Sequence, residues 1–482
     1  MDLGRMLEAA CSKYGAKTAL IHNEINLSYS QLEQYVNSFA NKLKSLGIVK
    51  GDKVAILLPN IPEFVISYFA AQKLGAVAVT LNIMSTVYEL RYLLENSDSR
   101  VVVTTGQLAP RAEEACRDLS MCGHIFYTDG LDQPSPFCDA LKESSAFEIP
   151  QIDGDDPAVM IYTAGLTGRS LGAVLTHKNL LSQCTLLTDV CEGTEVDRGL
   201  CVIPLFHSFG AACNMLTILG IGSSVVMMDV FHIDSIFKAI EKEKITYISA
   251  VPRLFLGMLF QESAANYDLS SLSFCITGGS TMPPNLIPKF DAKFKTRLFE
   301  GYGLTEASPV CSVNRINMVN KLGSIGVCIP GVKARIIDDS GNELPPLQSG
   351  ELLIQGVNVM KGYYKNEQAS QEVLRDGWLH TGDLANIDED GYIFLTGRKK
   401  RMIINSGFNV YPREIEIVLN MLPGVSDSRV VGIPDLMRGE LVKALIIKEN
   451  GAALDEKTVL RHCRAYLSSY KLPREVEFVE SF

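Results

Sequence analysis

Short apolar runs rich in β-branched residues alternate with helix-spaced patterns over much of this chain, and that alternation limits the fold more than any other feature. The runs at 54–58, 101–104, 245–250 and 274–276 are too short to be helices. Near-continuous apolar strands separated by helical patterns are the signature of parallel sheets covered by helices. Residues 31–46 carry Leu32, Tyr35, Val36, Phe39, Leu43 and Leu46 at close to helical spacing, with Ser28 and Ser30 as candidate N-caps. At 482 residues the chain exceeds one ordinary core, which favours two or three domains.

From 323 to 396 the texture changes. V-K-A-R-I-I-D, D-S-G-N-E, G-E-L-L-I-Q-G and E-D-G-Y-I-F-L read as short strands joined by hairpin-type turns. A charged segment at 397–401 then precedes a compact unit that opens I-N-S-G-F-N-V-Y-P. The expected architecture is α/β. A large N-terminal domain, 1–398, combines helix-covered β-sheets with a β-rich module at about 323–396. A hinge follows at 399–401, and a small α+β domain at 402–482.

Charge and cysteine usage exclude several functions. The balance of 45 basic against 55 acidic residues gives a net charge of -10, which repels phosphate backbones and argues against nucleic-acid binding as the main activity. Twelve cysteines are scattered without a C-x-x-C pair or histidines at metal-ligand spacing, a pattern of reduced thiols rather than of a zinc site. The first ten residues carry charges where a signal peptide needs an apolar centre, so a cytoplasmic location is expected. Residues 199–228 lack formal charge over more than the roughly 20 positions that span a bilayer. Pro204, His207, Ser208, Asn214, Gly210, Gly220 and Gly222 interrupt that stretch, so it reads as strand, loop, helix and strand buried in an α/β layer. No integral membrane segment is expected, and peripheral membrane contact stays open.

Residues 161–172, I-Y-T-A-G-L-T-G-R-S-L-G, form a Gly-, Thr- and Ser-rich loop between an expected strand at 158–162 and an expected helix start at 173–181. Gly165, Gly168 and Gly172 would let backbone N–H groups approach anionic oxygens, and Thr163, Thr167 and Ser170 add hydroxyl donors. The loop is not a Walker loop, because G-x-x-x-x-G-K-[ST] is absent. Further along stand P-L-F-H-S-F-G at 204–210, G-G-S at 278–280 and G-Y-G-L-T-E at 301–306. W-L-H-T-G-D at 378–383, G-R-K-K at 397–400 and S-G-F-N-V-Y-P-R-E-I-E at 406–416 follow. In this order and spacing, from near Met1 to Phe482, the chain resembles the adenylate-forming superfamily of acyl-CoA synthetases, luciferases and amino-acid adenylation domains.

The resemblance implies two half-reactions. A carboxylate attacks the α-phosphate of ATP to give an acyl-adenylate and pyrophosphate, and the thiol of coenzyme A then takes the acyl group and releases AMP. Glu306 matches the glutamate that binds Mg2+, for which a hard carboxylate oxygen is suited. Thr305 is implied as a donor to the α-phosphate, and Tyr302 as the ring stacked on adenine. Asp383 is implied to accept the ribose hydroxyls with Arg398 beside it, and Gly279 and Ser280 to line the nucleotide site with Thr163, Gly165, Thr167 and Gly168. Lys400 occupies the hinge position of a mobile lid, and Gly407 the position where backbone approaches the pantetheine arm.

His207 stands where amino-acid adenylation domains carry an aspartate that pairs with the substrate's ammonium, so an amino-acid substrate is disfavoured. His207, Ala211, Ala212, Gly278 and Gly303 are the expected acyl pocket, whose small or apolar neighbours suit an uncharged hydrophobic acid. The loop departs from the family pattern at Ala164, Leu166, Ser170 and Leu171, the last replacing a lysine. F-V-E-S-F stands where relatives continue into P-x-T-x-x-G-K, and no residue is assigned the part of that lysine. The implied activity is that of an ATP-dependent carboxylate:CoA ligase acting on a hydrophobic acid. Two alternatives stay open at this point: an acyl-AMP ligase that loads a carrier protein, and a turnover-deficient nucleotide- or acyl-adenylate-binding protein.

Overall fold

The helix Pro62–Leu74 is buried at all of its 13 positions, and it organises the layers around it. A helix that is apolar all round has no solvent face and must lie inside the protein. One side of it meets the strands Lys53–Leu57 and Val77–Thr80, and the other meets the helices Leu3–Tyr14 and Tyr29–Ser45. Through Phe64, Tyr68 and Phe69 a single core joins Val54 and Ile56 of one sheet to Leu20, Tyr247 and Phe299 of another. Two of its polar members find partners inside: Lys73 Nζ donates to Asn37 Oδ1 at 2.7 Å and Glu33 Oε1 at 3.1 Å, and Gln72 Nε2 donates to the Ala158 carbonyl at 3.0 Å. This computed structural model describes residues 1–164, 169–229, 232–399 and 402–482.

Among the described residues, a seven-stranded sheet holds Lys53–Leu57, Val77–Thr80, Ser99–Thr105, His124–Thr128 and Pro157–Ala164 in parallel, with Ser170–Thr176 and Gly362–Tyr363 added antiparallel at one edge. A nine-stranded sheet has a parallel centre that includes Arg198–Cys201, Ser224–Met227, Tyr247–Ala250, Phe274–Thr277 and Arg297–Gly303. These strands coincide with the apolar runs read from the sequence. The helix expected near residues 31–46 is Tyr29–Ser45, and Ser28 caps it in a reciprocal box with Gln31. The uncharged stretch 199–228 is strand, broken helix and strand, as expected. Among the described residues no helix is long and apolar enough to cross a membrane.

One local expectation is corrected. The segment after the phosphate loop does not open a helix: Ser170–Thr176 is a strand paired antiparallel with Pro157–Ala164, and a five-residue helix, His177–Leu181, starts only at the Thr176 cap. The buried run A-V-L-T suits a sheet, and Thr176, boxed with Asn179, is the cap at which the helix begins.

A third, antiparallel sheet contains Val332–Ile337, Gly350–Gly356, Trp378–Ile387 and Ile393–Arg398. Its turns hold Gly341 at φ 86° and Gly391 at φ 83°, which accounts for the Gly in D-S-G-N and E-D-G. The fourth sheet combines Ile403–Asn405, Phe408–Val410, Val425–Asp435, Gly439–Lys448 and Glu475–Phe478, with its own core around Val410, Ile415, Val430 and Val442. Every cysteine is a free thiol.

Candidate active site

The carboxyl ends of parallel strands are where α/β sheets form ligand crevices, because the chain turns away there and exposes backbone groups. Here Phe274–Thr277 runs into Gly278, Gly279 and Ser280, and the neighbouring Arg297–Gly303 runs into Thr305 and Glu306. The two segments are close: a Cβ on Gly278 would lie 3.3 Å from the Gly301 carbonyl and 3.5 Å from the Phe209 ring. Gly279 adopts φ 81°, a conformation that favours glycine. Glu300 Oε1 accepts from the Met282 amide at 3.0 Å and so holds the far side of the G-G-S loop, while burial pushes its carboxyl up to about 7.

Asp383 and Arg398 face each other across the antiparallel strands Trp378–Ile387 and Ile393–Arg398. Arg398 Nε donates to Asp383 Oδ1 at 2.9 Å, and the Tyr302 hydroxyl donates to Asp383 Oδ2 at 2.5 Å. The structure thereby brings together three residues 81 and 15 positions apart, and it fixes the Tyr302 ring at the cavity wall. Each Asp383 oxygen has lone-pair capacity beyond these bonds, so a diol could still be received.

Thr305 Oγ1 lies 3.3 Å from Ser208 Oγ. Glu306 Oε1 accepts from the Tyr363 hydroxyl at 2.7 Å. Tyr363 escaped the sequence reading because it sits on a two-residue strand, Gly362–Tyr363, without periodicity to mark it. Thr163 is the penultimate residue of the strand Pro157–Ala164, while Gly165, Thr167, Gly168 and Lys400 lie outside the described residues.

His207 stands at a junction of cavities, and its ring nitrogens have distinct roles. Its Nδ1 accepts from the Phe209 amide at 3.2 Å, capping the short helix Ser208–Ala211. The neutral ring therefore carries its proton on Nε2, and burial pushes its pKa down to about 4. One cavity runs from Asp383, Tyr302 and Thr305 past His207 into an apolar end formed by Phe209, Cys213, Thr217, Tyr247, Leu187 and Val190. Gly278 and Gly303 also line it. Ala211 and Ala212 do not: both are buried, at 3% and 1% exposure, in the packing behind the wall. Phe209, Cys213 and Thr217 recur every fourth position and take the cavity face, which turns the intervening alanines away.

Residues 7–364 match the model of the AMP-binding enzyme family, and residues 414–482 match the AMP-binding enzyme C-terminal domain. The chain belongs to the AMP-binding enzymes. A long-chain-fatty-acid–CoA ligase of Bacillus subtilis (strain 168) is 34% identical over 510 residues, covering 99% of this chain and 90% of that protein. A feruloyl-CoA synthase of Amycolatopsis sp is 35% identical over 464 residues, covering 96% and 92%. These relatives place the chain in the acyl-CoA synthetase branch of the adenylate-forming superfamily. Among solved structures, an amide bond synthetase from Marinactinospora thermotolerans superposes with a TM-score of 0.89 at 27% identity, over 100% of this chain and 96% of that one. A double mutant of o-succinylbenzoate CoA synthetase from Bacillus subtilis, bound with its product analogue OSB-NCoA, superposes with a TM-score of 0.88 at 27% identity, over 99% and 95%.

In this AMP-binding enzyme the C-terminal unit is docked over the cavity. Gly407 adopts φ 87°, and a Cβ there would lie only 2.5 Å from Val251 Cγ1, so the turn fits against Val251 as glycine alone. Arg253 Nη1 donates to Ser406 Oγ at 3.2 Å beside it. A second cavity passes between these groups, from His207, Phe209 and Gly279 outward to His232 and Met437. Both cavities share His207, Phe209, Gly279 and Gly407, which gives the inner site a separate approach from the surface.

Proposed function

We propose that the chain is an ATP-dependent, AMP-forming carboxylate:CoA ligase acting on a hydrophobic carboxylic acid through an acyl-adenylate. The observation that carries this reading is the arrangement of cavities around His207. A polar end at Tyr302, Asp383, Arg398 and Thr305 suits AMP, an apolar end at Phe209, Cys213, Thr217 and Tyr247 suits an acyl group, and the channel past Gly407 suits a slender thiol-bearing arm.

In this scheme the acid carboxylate and the α-phosphate meet between His207 and Thr305. His207 Nε2–H and the Thr305 hydroxyl are donors available there, and a preorganised donor stabilises charge that develops during transfer. Asp383 and Arg398 anchor the ribose, and Tyr302, held by Asp383, presents its ring to the base. Phe209, Cys213 and Thr217 exclude water from the acyl group. Among the described residues, the charged side chains lining this cavity are Glu300, which holds the G-G-S loop, and Asp383 and Arg398 of the polar end.

Magnesium, when bound, would offset the negative charge of the polyphosphate. Glu306, whose Oε1 accepts from the Tyr363 hydroxyl, is the carboxylate that would hold it. Among the described residues no group of three or more His, Cys, Asp or Glu side chains forms a metal site. Residues 1–398 would form the adenylation domain and 402–482 the lid, with the hinge at 399–401 including Lys400.

A panel of fatty, alicyclic and aromatic acids, assayed for pyrophosphate release and for thioester with free CoA, tests this proposal. The expected result is CoA thioester from at least one apolar acid and none from amino acids or dicarboxylates. Pyrophosphate release without thioester under saturating CoA would refute the ligase reading.

A further inference from the structure

Two hydroxyl-bearing side chains, Tyr247 and Thr217, stand at the otherwise apolar end of the cavity that runs past His207. Tyr247 opens the strand Tyr247–Ala250, and its ring packs on Phe274 with centroids 5.0 Å apart. The neighbouring strand makes room for that ring with Gly199, where a Cβ would lie 3.1 Å from Tyr247 Cδ1. The Tyr247 hydroxyl donates to the Cys213 carbonyl at 3.0 Å. Thr217 follows a widened turn of the broken helix, in which its amide donates to the Ala212 carbonyl, a π-type hydrogen bond. Such turns are frequent at functional sites. Thr217 Oγ1 accepts from the Leu187 amide at 2.9 Å, and Leu187 and Cys213 line the same cavity.

These bonds leave a defined polar capacity at the cavity end. A hydroxyl has one proton to donate and lone pairs with which to accept. Thr217 uses its oxygen as an acceptor, so its proton is still available. Tyr247 has given its proton to Cys213, so its oxygen is still available to accept. Burial raises the Tyr247 phenol well above its ordinary value, which keeps the group neutral. Ser249, next on the same face of the strand, is fully buried, and its Oγ finds no hydrogen bond of ordinary geometry among the described residues. The same holds for Oδ1 of Asn214, whose Nδ2 donates to the Ser249 carbonyl at 3.2 Å. Buried polar groups are nearly always paired, and one left unpaired costs free energy. Polar capacity enclosed at the end of an apolar cavity is therefore a means of reading a ligand.

We propose that Thr217 and Tyr247 make this end of the cavity selective for a compact carboxylic acid that carries a hydroxyl group remote from its carboxylate. A ligand hydroxyl receives the Thr217 proton and gives its own to the Tyr247 oxygen, whereas an alkyl end answers neither. The Tyr247 ring also limits length. An acid that overruns the cavity has to displace a side chain packed on Phe274 and bonded to Cys213. Because Thr217 and Tyr247 each already hold one partner, acids without the hydroxyl are disfavoured rather than rejected. This assignment rests on the ligase reading given above and narrows it to a class of acid.

The test compares kcat/KM for pyrophosphate release with cinnamic and para-hydroxycinnamic acid, with octanoic acid and its omega-hydroxy form, and with hexadecanoic acid. The wild type should favour a hydroxylated acid over its unsubstituted partner by about tenfold, the worth of one or two neutral hydrogen bonds. Whichever pair shows the preference identifies the skeleton as aromatic or aliphatic. Thr217→Val and Tyr247→Phe each remove one hydroxyl and should lower that ratio about threefold, whereas Thr217→Ser should keep it. A ratio taken within one protein does not depend on how much of it is folded. The assignment is overturned by a ratio near unity in the wild type, by equal ratios in the wild type, Thr217→Val and Tyr247→Phe, or by hexadecanoic acid as the best substrate. If no acid releases pyrophosphate, the ligase reading itself fails, and the assignment with it.

Discussion

Replacing Gly407 by alanine should separate the two half-reactions, and the size of the effect can be worked from the contact with Val251. The added Cβ would lie 2.5 Å from Val251 Cγ1, 3.4 Å from its Cβ and 3.8 Å from its Cγ2. Carbon atoms rest at about 3.5–4.0 Å, so the turn must retreat by about 1 Å when the C-terminal unit docks. Overpacking of this kind costs about 1–3 kcal/mol, and the φ of 87° adds about 1–2 kcal/mol for any residue with a Cβ. The steric part falls only on the docked state, where acyl transfer to CoA is proposed to occur. Thioester formation from preformed acyl-adenylate should therefore slow by about tenfold to a hundredfold, and pyrophosphate release by less than about threefold. Rapid-quench single-turnover assays of each step measure both. In Gly407→Ala/Val251→Ala the offending Cγ1 is gone and the nearest atom is 3.4 Å away, so most of the loss should be recovered, leaving the backbone strain. If Val251→Ala recovers nothing, or if both half-reactions fall equally, the steric account of Gly407 is wrong.

Glu306→Gln and Asp383→Ala should both depress adenylation by tenfold or more on the order of one lost charge-assisted interaction, but only Glu306→Gln should be partly rescued by raised magnesium. Pyrophosphate release across a magnesium titration checks this, and equal rescue of both would exclude the assigned roles. His177, whose Nδ1 accepts from the Leu3 amide at 3.2 Å, is pushed by burial from its ordinary 6.5 down to about 4. Its contribution to stability is thus complete above pH 6.5 and declines as the pH falls toward 4, because the unfolded chain takes up the proton first. The decline amounts to roughly 3 kcal/mol over that window. Urea midpoints at pH 7, 6 and 5 should fall more steeply for the wild type than for His177→Asn, and parallel profiles would contradict the linkage.

Much of the site was legible because its parts are local. G-Y-G-L-T-E, W-L-H-T-G-D and the start of G-R-K-K lie on strands or the turns at their ends, so Tyr302, Asp383 and Arg398 could be named from motif position, and the structure joins them by hydrogen bonds. Sequence position failed where the face of an element decides. Ala211 and Ala212 belong to the right segment but the wrong side of it, and Cys213 and Thr217 take the wall instead. It also failed for pairs that only tertiary folding creates. Lys471 and Glu89 are 382 positions apart, and Tyr363 meets Glu306 across 57, without any periodic signal to link them. The helix expected to open at 173–181 begins only at His177, because the pairing of Ser170–Thr176 with Pro157–Ala164, rather than composition alone, sets the conformation of the residues before it.

The buried helix Pro62–Leu74 has a consequence for dissecting the protein. Because the helix packs on the seven-stranded sheet and belongs to the same core as residues of the nine-stranded one, no cut between the sheets yields two self-sufficient pieces. A fragment ending near residue 190 would retain the helix yet leave Leu20, Tyr29 and Phe69 without Tyr247, Phe274 and Phe299 to cover the same core. Such a fragment would present a greasy face to solvent and collect in inclusion bodies, whereas its missing complement would lack the central rod around which its strands close. That core draws on residues from Leu3 to Ile393, so truncation, domain transplantation or split-reporter work should treat this span as one block, and transplants that alter the acyl pocket should carry it whole rather than either sheet by itself.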